Sequence, residues 1–149
     1  MNIVLHQPEI PGNTGNIARL CAATGTLLHL VGPLGFSLSD RYLKRAGLDY
    51  WPHVRLQTYD SLQDLYVRYP GGRFFYFSTK ATRWFTKVEY RDDDFLVFGR
   101  ETKGLPEDLL AANPDTSITI PMDGPVRSLN LSTAAGIALY EALRQVRGY

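Results

Sequence analysis

The sequence predicts an α/β protein with a mostly parallel sheet flanked by helices, and three observations predict it. Short apolar runs alternate with helix-period patterns along the whole chain. Several of those runs are continuously apolar rather than alternating, as strands covered on both faces should be. In the last third, two segments carry an apolar strand into a glycine-rich or polar loop and then a helix, the place where such folds build ligand sites. With 149 residues and no repeat, low-complexity tract or linker, residues 1–149 are expected to form a single domain.

Asn2–His6 reads as the first strand. A loop over 7–12 follows, then a helix from Asn13-Thr14-Gly15-Asn16 to about Thr24, with side chains able to cap its start and Gly25 closing its end. Leu27–Val31 is the second strand, ended by Gly32-Pro33. Residues 40–46 suit a short helix stopped by Gly47, and Asp60-Ser61 cap another through about Tyr69, ended by Pro70-Gly71-Gly72. Residues 73–78 make an aromatic strand, 92–94 an acidic, solvated turn, and Phe95–Phe98 a further strand. Pro106 suits the first turn of a short helix ending near Ala112. Residues 117–120 are the last strand, and Leu131–Arg147 the longest helix. In it Ala135, Leu139, Ala142, Leu143 and Val146 recur at helical spacing as one apolar stripe.

Composition excludes several classes. No apolar run approaches the ~18 residues of a membrane span, and the amino terminus has neither a basic region nor a cleavage site of a signal peptide. The single cysteine, Cys21, fits a reducing cytoplasm and most simply packs in its helix. With His6, His29 and His53 scattered, no metal-ligand spacing exists and no metal is expected. His6 ends a strand, where it is either a satisfied histidine or an acid–base group. The net charge of +1 gives no global field for nucleic acid, so an RNA partner must be held by local patches.

Residues with chemical potential cluster in a few places. Arg19 lies one turn into a helix that starts at a strand's carboxyl end. It is either a surface ion-pair partner or a group facing phosphate or a developing oxyanion. Arg41, Lys44 and Arg45 stand at i, i+3 and i+4, either a solvated helix face or a small cationic face for an RNA backbone. Lys80, Arg83 and Lys87, interleaved with Trp84 and Phe85, either stack on bases or pack their loop down. Gly99 and Gly104 have P-loop spacing, but Leu105-Pro106 stand where Lys-Ser/Thr would grip phosphate, and no G-x-G-x-x-G occurs. Glu101, between Arg100 and Lys103, could simply be neutralised at the surface. Functionally, the glycines let backbone line a ligand's flat face, with Ile120-Pro121-Met122 as an apolar wall that suits adenine. Ser128, Asn130 and Ser132 precede or open the last helix, as caps or as anchors for a polar group.

Taken in order, Asn13-Thr14-Gly15-Asn16-Ile17 with Arg19, Phe98-Gly99 with Glu101 and Gly104-Leu105-Pro106, and Ile120-Pro121-Met122 with Ser128-Leu129-Asn130-Leu131-Ser132 resemble the three motifs of the SPOUT RNA ribose 2′-O-methyltransferases. The stretch Arg45-Ala46-Gly47-Leu48-Asp49-Tyr50 and the short length resemble the branch acting on the tRNA wobble cytidine or uridine. The resemblance covers essentially the whole chain. It implies a carboxyl-terminal deep trefoil knot (an α/β knot), an exception to the unknotted rule. It also implies S-adenosyl-L-methionine bound in that knot, with Phe77, Gly99, Ile120 and Ser128 as principal contacts and Met122, Leu129 and Gly104 beside them. It further implies a homodimer, in which one subunit's amino-terminal loop faces the other's cofactor. The apolar stripe of the last helix is then a candidate dimer surface. Arg19 would act at the ribose hydroxyl, with Asn16, Asn130 and Ser132 completing the catalytic pocket and the anticodon stem-loop of tRNA as substrate. Two departures stand out: Thr133 replaces a frequent second asparagine, and residues 80–90 match little.

Other readings are a 2′-O-methyltransferase for another tRNA or rRNA site, an α/β enzyme using another nucleotide, and a catalytically silent RNA-binding module. The absent nucleotide fingerprints count against the second, and the near-neutral charge with Arg19 present counts against the third.

Overall fold

The computed structural model describes residues 1–39, 41, 43, 45 and 50–149. Among the described residues seven strands form one sheet: β1 (Asn2–His6), β2 (Leu27–Val31), β3 (Leu56–Tyr59), β4 (Phe74–Phe77), β5 (Arg83–Trp84), β6 (Phe95–Phe98) and β7 (Ser117–Thr119). Their order is β3-β2-β1-β6-β4-β7-β5, and every neighbouring pair is parallel. β1 is an interior strand and pairs from Asn2 with Leu27 on one side and Phe95 on the other. All carboxyl ends therefore open on one edge, and every loop leaving a strand there can contribute to a single site.

Both faces of the sheet are covered, which is why its strands read as unbroken apolar runs. On one face Ile3, Leu5, Leu28, Leu30, Phe75, Leu96 and Ile118 pack under α1 (Pro11–Thr24) and α4 (Leu131–Arg147). On the other, Val4, Val31, Tyr76, Phe95 and Val97 meet Leu65 of α2 (Leu62–Arg68) and Leu109 and Leu110 of α3 (Glu107–Ala112). α1 lies against α4 through Ile17, Ala18 and Cys21 on one side and Ala135, Ala138, Leu139 and Ala142 on the other. The many small side chains let the two helices come close. Burial also pushes the Cys21 thiol up to about 12, so it packs as an inert apolar group.

Several expectations are corrected. α1 begins at Pro11, so Asn13, Thr14 and Asn16 lie inside the helix, and its N-cap, Ile10, has no capping side chain. Ser61 does cap α2, accepting from the Asp64 amide at 3.2 Å. Asp94 is not solvated: it is fully buried, accepts from the Arg91 amide at 2.7 Å and pairs with Arg73 at 3.2 Å. The apolar stripe of α4 is not a dimer surface, because Ala135, Leu139, Ala142 and Leu143 are spent on the protomer's own core. β3 and β5 have no clear sequence signal: one is a half-exposed edge strand, the other two exposed residues. Of the expected helix over 40–46, Arg41, Leu43 and Arg45 are helical; the remainder, Lys44 included, and Gly47 lie outside the described residues.

β7 lies beyond β4, whereas α4 returns to α1 and β6. Residues 120–130 must therefore cross back over the carboxyl ends of β4 and β6. That crossing positions the site.

Buried His29 links β1, β2 and β3. Its Nε2 is 2.9 Å from Asn2 Oδ1 and its Nδ1 is 3.0 Å from the Tyr59 hydroxyl. Burial lowers its pKa from 6.5 to about 4, so the folded ring stays neutral while the unfolded ring takes a proton first. Stability is therefore complete above the unfolded pKa and falls as pH drops from 6.5 towards 4. The loss attributable to this ring is on the order of 3 kcal/mol. Urea midpoints measured from pH 7.5 to pH 4.5, roughly spanning that window, should fall for the natural protein. The fall should be clearly shallower for His29→Gln; an equal slope in both would remove His29 as the source.

Candidate active site

The loops after β1, β4, β6 and β7 enclose one cleft of about 980 Å³ at the carboxyl edge of the sheet. Its floor is bare backbone. A Cβ on Gly99 would lie 2.1 Å from the Gly104 carbonyl carbon and 2.2 Å from the Leu105 nitrogen, so only glycine fits. The loop is folded tightly on itself: the Gly104 amide donates to the Arg100 carbonyl at 2.8 Å, and the reverse bond is 3.2 Å. Gly104 has φ +66°, the left-handed region glycine tolerates. Phe77 stacks on Phe98 with ring centres 4.6 Å apart and forms an apolar wall. Ile120, Met122, Ser128 and Leu129 line the opposite side from a segment that belongs to no helix or strand. All seven residues expected around the cofactor thus line this one cleft.

A hydrogen-bonded junction ties the three motif segments together. Glu101 accepts from the amides of Glu9 (2.8 Å) and Ile10 (2.7 Å) and from Asn13 Nδ2 (3.3 Å). Its carboxylate supplies the cap that α1 lacks and places negative charge at the helix's positive end. In return, Glu9 accepts from the Thr102 amide (3.1 Å) and hydroxyl (2.7 Å). Those Thr102 hydrogen bonds hold the Glu9 carboxyl below its usual range. Arg100 reaches Glu9 at 3.6 Å, so Glu101 is not the surface partner of its neighbours that sequence spacing allowed. The chain continues through Asn13 Oδ1, which accepts from Asn130 Nδ2 at 3.1 Å. Asn130 Oδ1 in turn caps α4, receiving the Ser132 amide (2.9 Å), the Thr133 amide (3.2 Å) and the Ser132 hydroxyl (2.6 Å).

The catalytic candidates divide into two groups. Asn130 lines the cleft and Ser132 is bonded to it. Asn16 and Arg19 do not line it. Both project from the exposed side of α1, and the Arg19 guanidinium lies 4.5 Å over the Tyr50 ring. Arg41 and Arg45 are exposed and helical. Sequence reasoning missed the bridging position of Asn13 between Glu101 and Asn130 and the inward position of His6. His6 lines the cleft, its Nδ1 has no hydrogen-bond partner among the described residues, and burial followed by the nearby Arg100 lowers its pKa, which favours the neutral ring. Of the loop over 80–87, Phe85 is buried, Trp84 is exposed, and Arg83 donates to the Asp115 carbonyl at 2.8 Å. Among the described residues no helix is long and apolar enough to cross a membrane.

This arrangement, an all-parallel sheet whose β6 and β7 loops meet over a glycine floor, coincides with a known family. The model of the SpoU rRNA Methylase family matches residues 1–140. The chain belongs to the SpoU methylase family. A Bacillus subtilis (strain 168) protein carrying the provisional name tRNA (cytidine(34)-2′-O)-methyltransferase is 55% identical over 97% of this chain and 92% of its own. A solved structure described as giving insights into the 2′-OH methylation of C/U34 on tRNA is 52% identical. It superposes with a TM-score of 0.95 over 99% of this chain and 97% of that one. An AdoMet-bound rRNA methyltransferase from Sinorhizobium meliloti matches at 27% identity and a TM-score of 0.84, over 96% of this chain and 55% of that chain. The family's crossing of the carboxyl-terminal segments is the trefoil knot, so residues 120–130 form its return path here.

Replacing Glu101 by Ala leaves the Glu9 and Ile10 amides without their acceptor, at a cost of roughly 1–3 kcal/mol. Urea unfolding should register that loss, and hydrogen exchange at the Ile10 amide should accelerate. Unchanged exchange at Ile10 would mean that another group caps α1.

Proposed function

We propose that this protein is a tRNA 2′-O-methyltransferase. It transfers a methyl group from S-adenosyl-L-methionine to the ribose 2′-hydroxyl of the wobble nucleotide, cytidine or modified uridine, in the anticodon loop. The observation that carries this reading is the glycine-floored cleft with its wall of Phe77 and Phe98, on which the motif segments converge. It suits a nucleoside whose flat base packs between apolar side chains and bare backbone. The relatives named for C34 and C/U34 methylation, and the AdoMet-bound neighbour, support the substrate and cofactor.

When bound, S-adenosyl-L-methionine supplies a methyl group on a sulfonium. Phe77, Gly99 and Ile120 would hold the adenine between apolar walls and backbone. Gly104, Met122, Ser128 and Leu129 would close around the rest. The 2′-hydroxyl is a weak nucleophile and must lose its proton as its oxygen bonds to the methyl carbon. A guanidinium is a hydrogen-bond donor rather than a base, so the role of Arg19 is to stabilise the developing alkoxide while the substrate's phosphate takes the hydroxyl proton. Asn16, three residues earlier on the same helix, orients Arg19 or the ribose. Asn130 and Ser132 complete the pocket, and Arg41, Lys44 and Arg45 would meet the RNA backbone.

Arg19 and Asn16 face away from their own cleft, which supports a homodimer whose sites are shared between subunits. Ile137 and Tyr140, exposed on the outer side of α4, offer apolar surface for that contact.

Calorimetry with S-adenosyl-L-methionine should show one site per chain, and absence of binding would overturn the reading. Arg19→Ala should keep that affinity while turnover on tRNA falls by roughly 10²–10³; undiminished turnover would remove Arg19 from the reaction. Mixing Arg19→Ala with Gly99→Val subunits, each inactive alone, should restore about a quarter of normal activity through hybrid dimers. No restoration would show that each site is built within one chain.

A further inference from the structure

A second cleft of about 850 Å³ opens at the other end of β4, around residues 83–91. Four cationic side chains line it (Arg73, Arg83, Lys87 and Arg91) against one carboxylate, Glu89. Two of them are fixed by backbone. Arg73 donates to the Glu89 carbonyl at 3.0 Å, and Arg83 to the carbonyls of Asp115 (2.8 Å) and Lys87 (3.3 Å). Asp94, buried beneath, pairs with Arg73 and also faces Arg91, so it neutralises part of this charge. Among the lining side chains and Asp94 a positive balance remains, with exposed Asp92 and Asp93 outside the lining. The side chains of Lys87 and Arg91 are exposed and make no hydrogen bond or ion pair among the described residues.

The aromatic rings lining this cleft offer no free stacking platform: Phe75, Tyr76 and Tyr90 are buried, and the half-buried Phe74 is already stacked on Phe95 at 4.5 Å and met edge-on by Tyr66. The groove therefore has the means to hold phosphates but not to read bases. A chain of net charge +1 must hold RNA through such local patches. The length of β4 separates this groove from the candidate active site by roughly 10–14 Å at 3.3 Å per residue.

We propose that this groove docks the phosphodiester backbone of the substrate's double-stranded anticodon stem, apart from the nucleotide that is methylated. The inference rests on tRNA being the substrate. The fixed guanidinium groups of Arg73 and Arg83 shape the groove, and Lys87 and Arg91 neutralise phosphates. This gives residues 80–90, which match the family motifs little, a role in substrate affinity rather than in chemistry.

The test is the double variant Lys87→Ala/Arg91→Ala, compared with the charge-preserving Lys87→Arg/Arg91→Lys. Binding of whole tRNA is measured across a salt series, together with steady-state methylation. The alanine pair should raise the Kd and KM for tRNA about 5- to 20-fold and make the salt dependence shallower by one to two phosphate contacts. Its kcat, urea midpoint and S-adenosyl-L-methionine affinity should stay put, and the charge-preserving pair should behave like the natural protein. Unchanged tRNA affinity and salt slope would overturn the proposal, as would a fall in kcat at constant KM. The methyl-transfer reading fails separately: if the alanine pair loses tRNA affinity while the natural protein binds no S-adenosyl-L-methionine, the groove stands and the reaction is refuted.

Discussion

The Glu101 carboxylate at the start of α1 is the constraint on which the rest of the site depends. The helix opens with Pro11 and has no capping side chain of its own, so two amide groups would otherwise point at nothing. Glu101 receives both from across the sheet, and Glu9 answers by receiving Thr102. This crossed pair fixes the Gly99–Gly104 turn, which forms the cleft floor, relative to the helix that carries Asn16 and Arg19. Through Asn13 and Asn130 the same junction reaches the cap of α4. Three loops far apart in sequence therefore hold one geometry.

The parallel sheet makes that junction achievable. Its strand β1 pairs on both sides from the same residue, which brings the loops after β1 and β6 side by side. Small residues between α1 and α4 let the last helix lie over the first, and the knot's return segment is left free of regular structure above the cleft. Backbone groups in that segment have no ladder to satisfy them, so they are available to a ligand that offers donors and acceptors along its edge.

Charge is distributed in the same local manner. Two acidic groups are used internally, Glu101 at the start of α1 and Asp94 beneath the second cleft, while exposed cations line that second cleft. A molecule of net charge near zero can then engage a polyanion at chosen points without attracting it everywhere.

Much of the fold was legible in the sequence, because apolar runs covered on both faces and helix-terminating glycines leave local signals. β1, β2, β6 and α4 fall where those signals put them. The edge strands β3 and β5 do not, since their pairing depends on neighbours rather than on composition. Motif order alone determined the family and the seven cofactor candidates that line the cleft, but not the inward position of His6 or the place of Asn16 and Arg19 outside it. Only the tertiary structure decided what joins them: that Glu101 caps a distant helix, that Asn13 bridges two motifs, and that Asp94 is buried. It also decided that the α4 stripe belongs to the core and that Arg19 turns away from its own cleft. Those outcomes are hydrogen bonds and contacts between residues up to 117 positions apart, and nothing in local spacing encodes which side chain will arrive to satisfy an open amide.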